Sequence, residues 1–208
     1  MRKAPVLVFV AADRRATDRR DEVKIEIGPG ERVALIGPSG SGKTTAIEAL
    51  LGARESVLES PSVSGRAARS VRLELPHIGV RYLTESPVFE TGTVLTNCLI
   101  SAAECQHISA AIGLFPGMTD AELSTFLTRQ ILPSGEPLSL GERQRVQIIR
   151  AMGAKPRVLV LDEALSGVEE DLEREVISAL IADESISSLL YVGHRKSIQE
   201  LFSKKIRL

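Results

Sequence analysis

Arg32-Val33-Ala34-Leu35-Ile36, then Gly37-Pro38-Ser39-Gly40-Ser41-Gly42-Lys43-Thr44-Thr45, then Ala46-Ile47-Glu48-Ala49-Leu50-Leu51: this stretch decides the fold. Its first piece is a short apolar run bounded by glycine, which reads as a buried strand. Its last piece, from Thr44, has helical spacing and stops at Gly52. Between them, Gly37 to Thr44 fits G-x-x-x-x-G-K-[ST]. Glycines let successive backbone N–H groups turn inward around phosphate oxygens, and the helix N-terminus adds partial positive charge there. Lys43 is spaced to reach the β- and γ-phosphates, and the Thr44 hydroxyl to ligate Mg²⁺. A chance glycine-rich turn would not explain a strand on one side and a helix on the other.

Working outward, Val158 to Leu161 is a wholly apolar strand ending in Asp162-Glu163. Asp162 at a strand tip suits Mg²⁺ held through water, and Glu163 can swing toward a γ-phosphate to orient or deprotonate the attacking water. Ser188 to Val192 is a second such strand, closing on Gly193-His194, and the strand-end position points His194 at the same phosphate. Leu138 to Met152 reads as a helix with Ser139 as N-cap, and Glu170 to Ala182 as another helix. Val23 to Ile27 alternates like a half-buried strand. Together these predict an α/β fold with a mostly parallel sheet covered on both faces and a ligand at the carboxyl ends of the strands. Residues 86–137 read as an inserted helical subdomain of a single domain whose α/β core is 1–85 and 138–208. Residues 53–80 hold short β-like pieces such as Val71 to Leu75.

Composition narrows the function classes. A net charge of −1 and 3% aromatic residues argue against a nucleic-acid partner. Cys98 and Cys105 make no disulfide framework and suggest a reducing compartment; with His107 they lack a fourth ligand for structural zinc. No apolar run reaches about 18 residues, the length that spans a bilayer. Pro5 to Ala12 reads as a strand, not a signal peptide. Arg14-Arg15 and Arg19-Arg20, interleaved with acids, read as a solvated turn.

Four segments, GPSGSGKTT (37–45), LSLGERQR (138–145), VLVLDEA (158–164) and YVGHR (191–195), together resemble the nucleotide-binding domain of ABC transporters, exporter-like. The phosphate loop alone would not separate the chain from a nucleotide kinase; LSLGE followed by RQR does. The resemblance implies a RecA-like P-loop NTPase core, a small N-terminal antiparallel β portion and the helical insertion. It implies ATP and Mg²⁺ bound by Gly37 to Thr45, with Mg²⁺ also on Asp162 and Glu85. Glu163 is then the catalytic base and His194 the switch histidine. Ser139, Gly141 and Glu142 belong to a signature segment that contacts the γ-phosphate held by a second copy. The implied partners are that second nucleotide-binding domain, in a head-to-tail ATP-dependent dimer, and a transmembrane domain. The implied location is the cytoplasmic face of a membrane.

The sequence also departs from the family pattern. Glu85 stands where glutamine is usual, Leu140 replaces the first signature glycine, Glu142 its glutamine, and Glu169 an aspartate. No aromatic lies at Ala11 and Ala12, where adenine would stack; Phe9 is the nearest. The leading expectation is an ATP-hydrolysing transport motor. The alternative is a module that dimerises on ATP and turns over poorly. A soluble ABC ATPase of DNA repair or translation would need a coiled-coil insertion or a second cassette.

Overall fold

Val33, Leu35, Val158, Val160, Leu190 and Val192 are buried together in one apolar cluster; Ala34, Leu159, Leu161, Leu189 and Tyr191 belong to another. This period-2 split is what strands buried on both sides require, since successive side chains leave a strand on opposite faces. In the computed structural model, which describes residues 7–12, 22–44, 47 and 79–208, these residues form a parallel sheet. Its strands are β3 (Arg32–Ile36), β4 (Val80–Thr84), β7 (Val158–Asp162), β8 (Ser188–Val192) and β9 (Lys204–Arg207). Their spatial order is β4-β7-β8-β3-β9. Strands β1 (Leu7–Ala12) and β2 (Glu22–Ile27) pair antiparallel as a separate ribbon.

Register fixes where chemistry can happen. Thr84 lies beside Asp162, Asp162 beside Val192, and Val192 beside Leu35. The loops after β4, β7, β8 and β3 therefore leave one edge of the sheet in a single row, opening with Glu85, Glu163, Gly193-His194 and Gly37. That edge is the carboxyl end, as the sequence predicts.

The remaining elements lie mainly on the Leu159 face. Helices α1 (Val94–Cys98), α2 (Ala102–Ile112) and α3 (Asp120–Leu127) fall within 86–137. Their buried residues Val94, Cys98, Cys105, Leu123 and Phe126 share the cluster of Leu159 and Leu161. Helices α4 (Leu140–Gly153), α5 (Glu170–Ala182) and the short α6 (Lys196–Gln199) complete the fold. Ile47, just past the phosphate loop, packs on the other face with Val33 and Leu35.

Three local results differ from the sequence reading. A two-residue pairing of β5 (Gly92–Thr93) with β6 (Gln130–Ile131) closes the helical segment and has no periodic signal because it is so short. Strand β9, lysine-rich and at the sheet edge, carries only alternating exposure. Helix α4 keeps Ser139 as its N-cap, as expected, its hydroxyl accepting from Glu142 N–H, so the helix proper begins at Leu140 rather than at Leu138. The piece Val71 to Leu75, the arginine pairs before β2 and most of the helix expected after Thr44 lie outside the described residues.

Cys98 and Cys105 are buried free thiols. Among the described residues no cluster of His, Cys, Asp or Glu is suited to a metal, and no helix is long and apolar enough to cross a membrane.

Candidate functional site

The loop after β3 turns on glycine. Gly40 and Gly42 have φ of +76° and +94°, a region closed to most side chains, and the chain becomes helical at Lys43. A Cβ on Gly37 would lie 2.7 Å from the Leu208 carbonyl oxygen. Pro38, Ser39 and Gly40 are exposed, whereas Lys43 is buried and donates from Nζ to the carbonyls of Gly37 and Pro38 at 3.0 and 2.9 Å. The ammonium is thus folded into the concavity of its own loop. Ser41 Oγ is buried with no hydrogen-bond partner. Thr45 is outside the described residues.

Asp162 ends β7 in a buried position. Its Oδ2 accepts from the Tyr82 hydroxyl at 3.1 Å, and the Thr44 side chain bonds the same carboxylate. Desolvation pushes its pKa above the usual aspartate value, against the opposing hydrogen bonds. Oδ1 is buried and has no hydrogen-bond partner. Such an orphaned carboxylate oxygen is costly unless something binds it. Oxygen donors on Thr44 and Asp162, side by side at the phosphate loop, fit a hard cation such as Mg²⁺. Glu85 is exposed at the end of the neighbouring strand, and its backbone carbonyl accepts from Gln144.

Glu163 follows with φ +53°, left-handed backbone that costs a non-glycine residue about 1 kcal/mol. The turn brings its side chain to His194. Its N–H bonds the Val192 carbonyl at 2.9 Å, and its Oε1 lies 2.7 Å from His194 Nε2. Strain of this kind concentrates where surrounding structure fixes a reactive group. Both side chains keep solvent access, with 30% and 50% exposure for Glu163 and His194.

The expected signature residues Ser139, Gly141 and Glu142 sit at the N-terminus of α4. Ser139 and Glu142 form a reciprocal capping box, with Glu142 Oε2 accepting from Ser139 N–H at 2.8 Å. The Glu142 carboxylate therefore already lies at the positive helix end, and Arg129 Nη1 stands 3.5 Å from its other oxygen. Gly141 has no room for a side chain: a Cβ would lie 2.6 Å from the Gly167 carbonyl oxygen. Leu140 fills the space that a Cβ on Gly167 would need, its Cγ 2.6 Å from that position.

Sequence reasoning missed two tethers. Gln144, fully buried on α4, donates to the Glu85 carbonyl at 2.9 Å and to Ser166 Oγ at 3.1 Å, and accepts from Gly167 N–H at 2.8 Å. Arg195 reaches from beside His194 to the Ser166–Val168 loop. The only signal was polarity, at an inward-facing helical position for Gln144 and just before the short α6 for Arg195. The adenine contact stays open, since the side chain of Phe9 is outside the described residues.

A profile of the ABC transporter family matches residues 20–166. The chain belongs to that family. The ATP-dependent lipid A-core flippase of Dechloromonas aromatica (strain RCB) is 34% identical over 194 residues, covering 90% of this chain and 33% of the flippase. The mycobactin import ATP-binding/permease protein IrtB of Mycolicibacterium smegmatis is 31% identical over 178 residues, covering 84% of this chain and 31% of IrtB. The transport/processing ATP-binding protein ComA of Streptococcus pneumoniae (strain ATCC BAA-255 / R6) is 28% identical over 195 residues, covering 92% and 27% respectively. The chain thus spans about a third or less of the length of these curated relatives. A solved bacterial Atm1-family ABC exporter with ATP bound matches with a TM-score of 0.70 at 23% identity, over 99% of this chain and 36% of the exporter. At that identity the likeness speaks for the fold alone: a parallel-sheet α/β core with helices and a small antiparallel sheet.

Proposed function

We propose that this chain is the ATP-binding and ATP-hydrolysing motor of an ABC transporter. The observation that carries the reading is the 2.7 Å approach of His194 Nε2 to Glu163 Oε1, one residue beyond the buried Asp162, on the sheet edge that carries the phosphate loop. Loop residues Gly37 to Thr45 grip the triphosphate, with Lys43 leaving its carbonyl contacts for phosphate oxygens. Thr44 and Asp162 would hold Mg²⁺, with Glu85 as a further oxygen donor. Mg²⁺, when bound, neutralises charge that builds between the β- and γ-phosphates. Glu163, aimed by its left-handed backbone and by His194, accepts the proton of the attacking water. His194 keeps that carboxylate oriented and faces the γ-phosphate.

One chain carries a phosphate loop and a signature segment, and we take these as halves of two sites. A second copy, head to tail, would bring Ser139, Gly141 and Glu142 to the γ-phosphate. ATP would close this dimer and hydrolysis reopen it, and a transmembrane domain, on a separate chain or elsewhere in the same polypeptide, would convert the cycle into transport. The work would be done at the cytoplasmic face of a membrane, without nucleic acid. The second reading, an ATP-gated dimerisation module with weak turnover, is favoured by one observation: the Glu142 carboxylate occupies the helix end that would otherwise meet a phosphate.

Phosphate release from the purified chain with Mg²⁺ and ATP separates the two. Release that Glu163→Gln abolishes supports the motor. ATP-dependent dimerisation without release from the parent supports the module.

A further inference from the structure

Arg195 grips three groups at once. Its Nη1 donates to Glu173 Oε2 at 2.5 Å and to the Val168 carbonyl at 2.8 Å, and its Nη2 to the Ser166 carbonyl at 3.4 Å. Glu173 lies on α5 and is only 3% exposed. Its other oxygen accepts from the Tyr191 hydroxyl at 2.8 Å, also buried. That hydroxyl lies against Gly193, so any Cβ there would overlap it. A buried carboxylate survives only if paired and hydrogen-bonded, and here a guanidinium and a phenol satisfy both oxygens.

The arrangement bears on the reacting pair. His194 immediately precedes Arg195. Glu163 opens the loop whose Ser166 N–H bonds back to the Glu163 carbonyl at 3.1 Å. Arg195 therefore ties the segment carrying His194 to the loop that begins at Glu163. A cavity of about 90 Å³ is lined by members of both groups, Glu163 and His194 together with Glu173, Tyr191 and Arg195. Glu163 stands in strained backbone and His194 is half exposed, so neither is locked by packing alone.

We propose that Arg195, anchored on buried Glu173, is a positioning residue that fixes the Glu163 and His194 backbones in reacting geometry. The proposal rests on the hydrolytic reading of Glu163. Without the clamp the pair still forms but samples wrong geometries, and misplacement near 1 Å costs about a hundredfold in rate.

The test uses the full chain, with Arg195→Ala, Glu173→Gln, their double variant and Arg195→Lys. Three quantities are measured: kcat and KM for MgATP, the Kd for ATP, and hydrogen exchange of the 164–168 segment. The expected result is a fall in kcat of about tenfold to a hundredfold for Arg195→Ala, with KM and Kd within about twofold. The double variant should be no slower than the slower single one, and Arg195→Lys should fall between parent and Ala. Segment 164–168 should exchange faster in Arg195→Ala and Glu173→Gln. A kcat within about twofold of the parent, a KM and Kd that worsen in step with kcat, or unchanged exchange would each overturn the proposal. If Arg195→Ala does not fold, Arg195→Lys decides: parent-like kcat and exchange reject the clamp. A parent that releases no phosphate defeats the hydrolytic reading, while the exchange measurement still judges the clamp.

Discussion

His194 Nε2 and Glu163 Oε1 stand 2.7 Å apart, although one residue follows β8 and the other follows β7. Register brings them together, since Asp162 and Val192 are direct neighbours. Glu163→Gln keeps the shape and removes the base. The expected outcome is loss of about 10²- to 10⁴-fold in kcat with ATP affinity retained. His194→Ala should reduce kcat in the same direction by a smaller factor. Single-turnover phosphate release reads both.

Lys43 is buried against the Gly37 and Pro38 carbonyls. Hydrogen bonds to charged groups contribute about 1.5–3 kcal/mol. Lys43→Ala should therefore weaken ATP binding about tenfold or more, measured by titration with a fluorescent nucleotide. Chelating Mg²⁺ with EDTA should halt phosphate release in the parent.

Glu142 caps α4 with its own carboxylate. Glutamine can still accept from Ser139 N–H, but the charge at the helix end and its contact with Arg129 are lost, so Glu142→Gln should lower stability by up to about 1 kcal/mol. It removes one negative charge from the helix end, worth about 0.3–1 kcal/mol toward an incoming phosphate. ATP-dependent dimerisation should tighten about two- to fivefold at low salt. Sedimentation in a Glu163→Gln background measures it; a weaker dimer would count against the paired-site reading.

Gly141 and Gly167 predict different costs. A Cβ at Gly141 meets a backbone oxygen, which cannot swing away; a Cβ at Gly167 meets the Leu140 side chain. Overpacking costs about 1–3 kcal/mol. Gly141→Ala should lie at the upper end, and Gly167→Ala at the lower end with recovery when Leu140→Gly is added. Urea midpoints for the three variants decide it.

Glu173 makes stability depend on pH. Burial pushes its pKa above the ordinary 4.5, with Glu170 adding to the rise and Tyr191 and Arg195 opposing it. The folded protein then holds a proton that the unfolded chain has released, so this contribution to stability falls as pH rises from 4.5 through the folded value. Glu173→Gln removes the dependence. Its stability minus that of the parent should increase as pH rises above 4.5, read from denaturant midpoints. A flat difference would show that Arg195 fully offsets burial.

The sheet was legible because buried parallel strands write continuous apolar runs. Val158–Asp162 and Ser188–Val192 are buried throughout, and Arg32–Ile36 sits between glycine-bounded turns. The phosphate loop was legible because its glycines and lysine follow from backbone geometry. Strand β4 escaped because Arg81 and Tyr82 interrupt its apolar run, and β6 because two residues carry no period. Of the candidate site, Asp162, Glu163 and His194 were visible as strand-end polar residues. Gln144 and Glu173 were not, because a polar residue turned inward on a helix looks in sequence like one turned outward, and Arg195, just before α6, carries no periodic signal. Only the burial of Gln144 and Glu173 reveals the difference.

The contact between Leu140 and Gly167 also constrains history. The signature pattern usually carries glycine where this chain has Leu140. A side chain at 167 and a leucine at 140 compete for one volume. A lineage acquiring both changes has an easy order and a hard one: glycine at 167 first opens a space that leucine can then enter. The reverse order passes through a crowded intermediate. Restoring a side chain at 167 therefore costs packing energy for as long as Leu140 remains, because the leucine must shift to admit it.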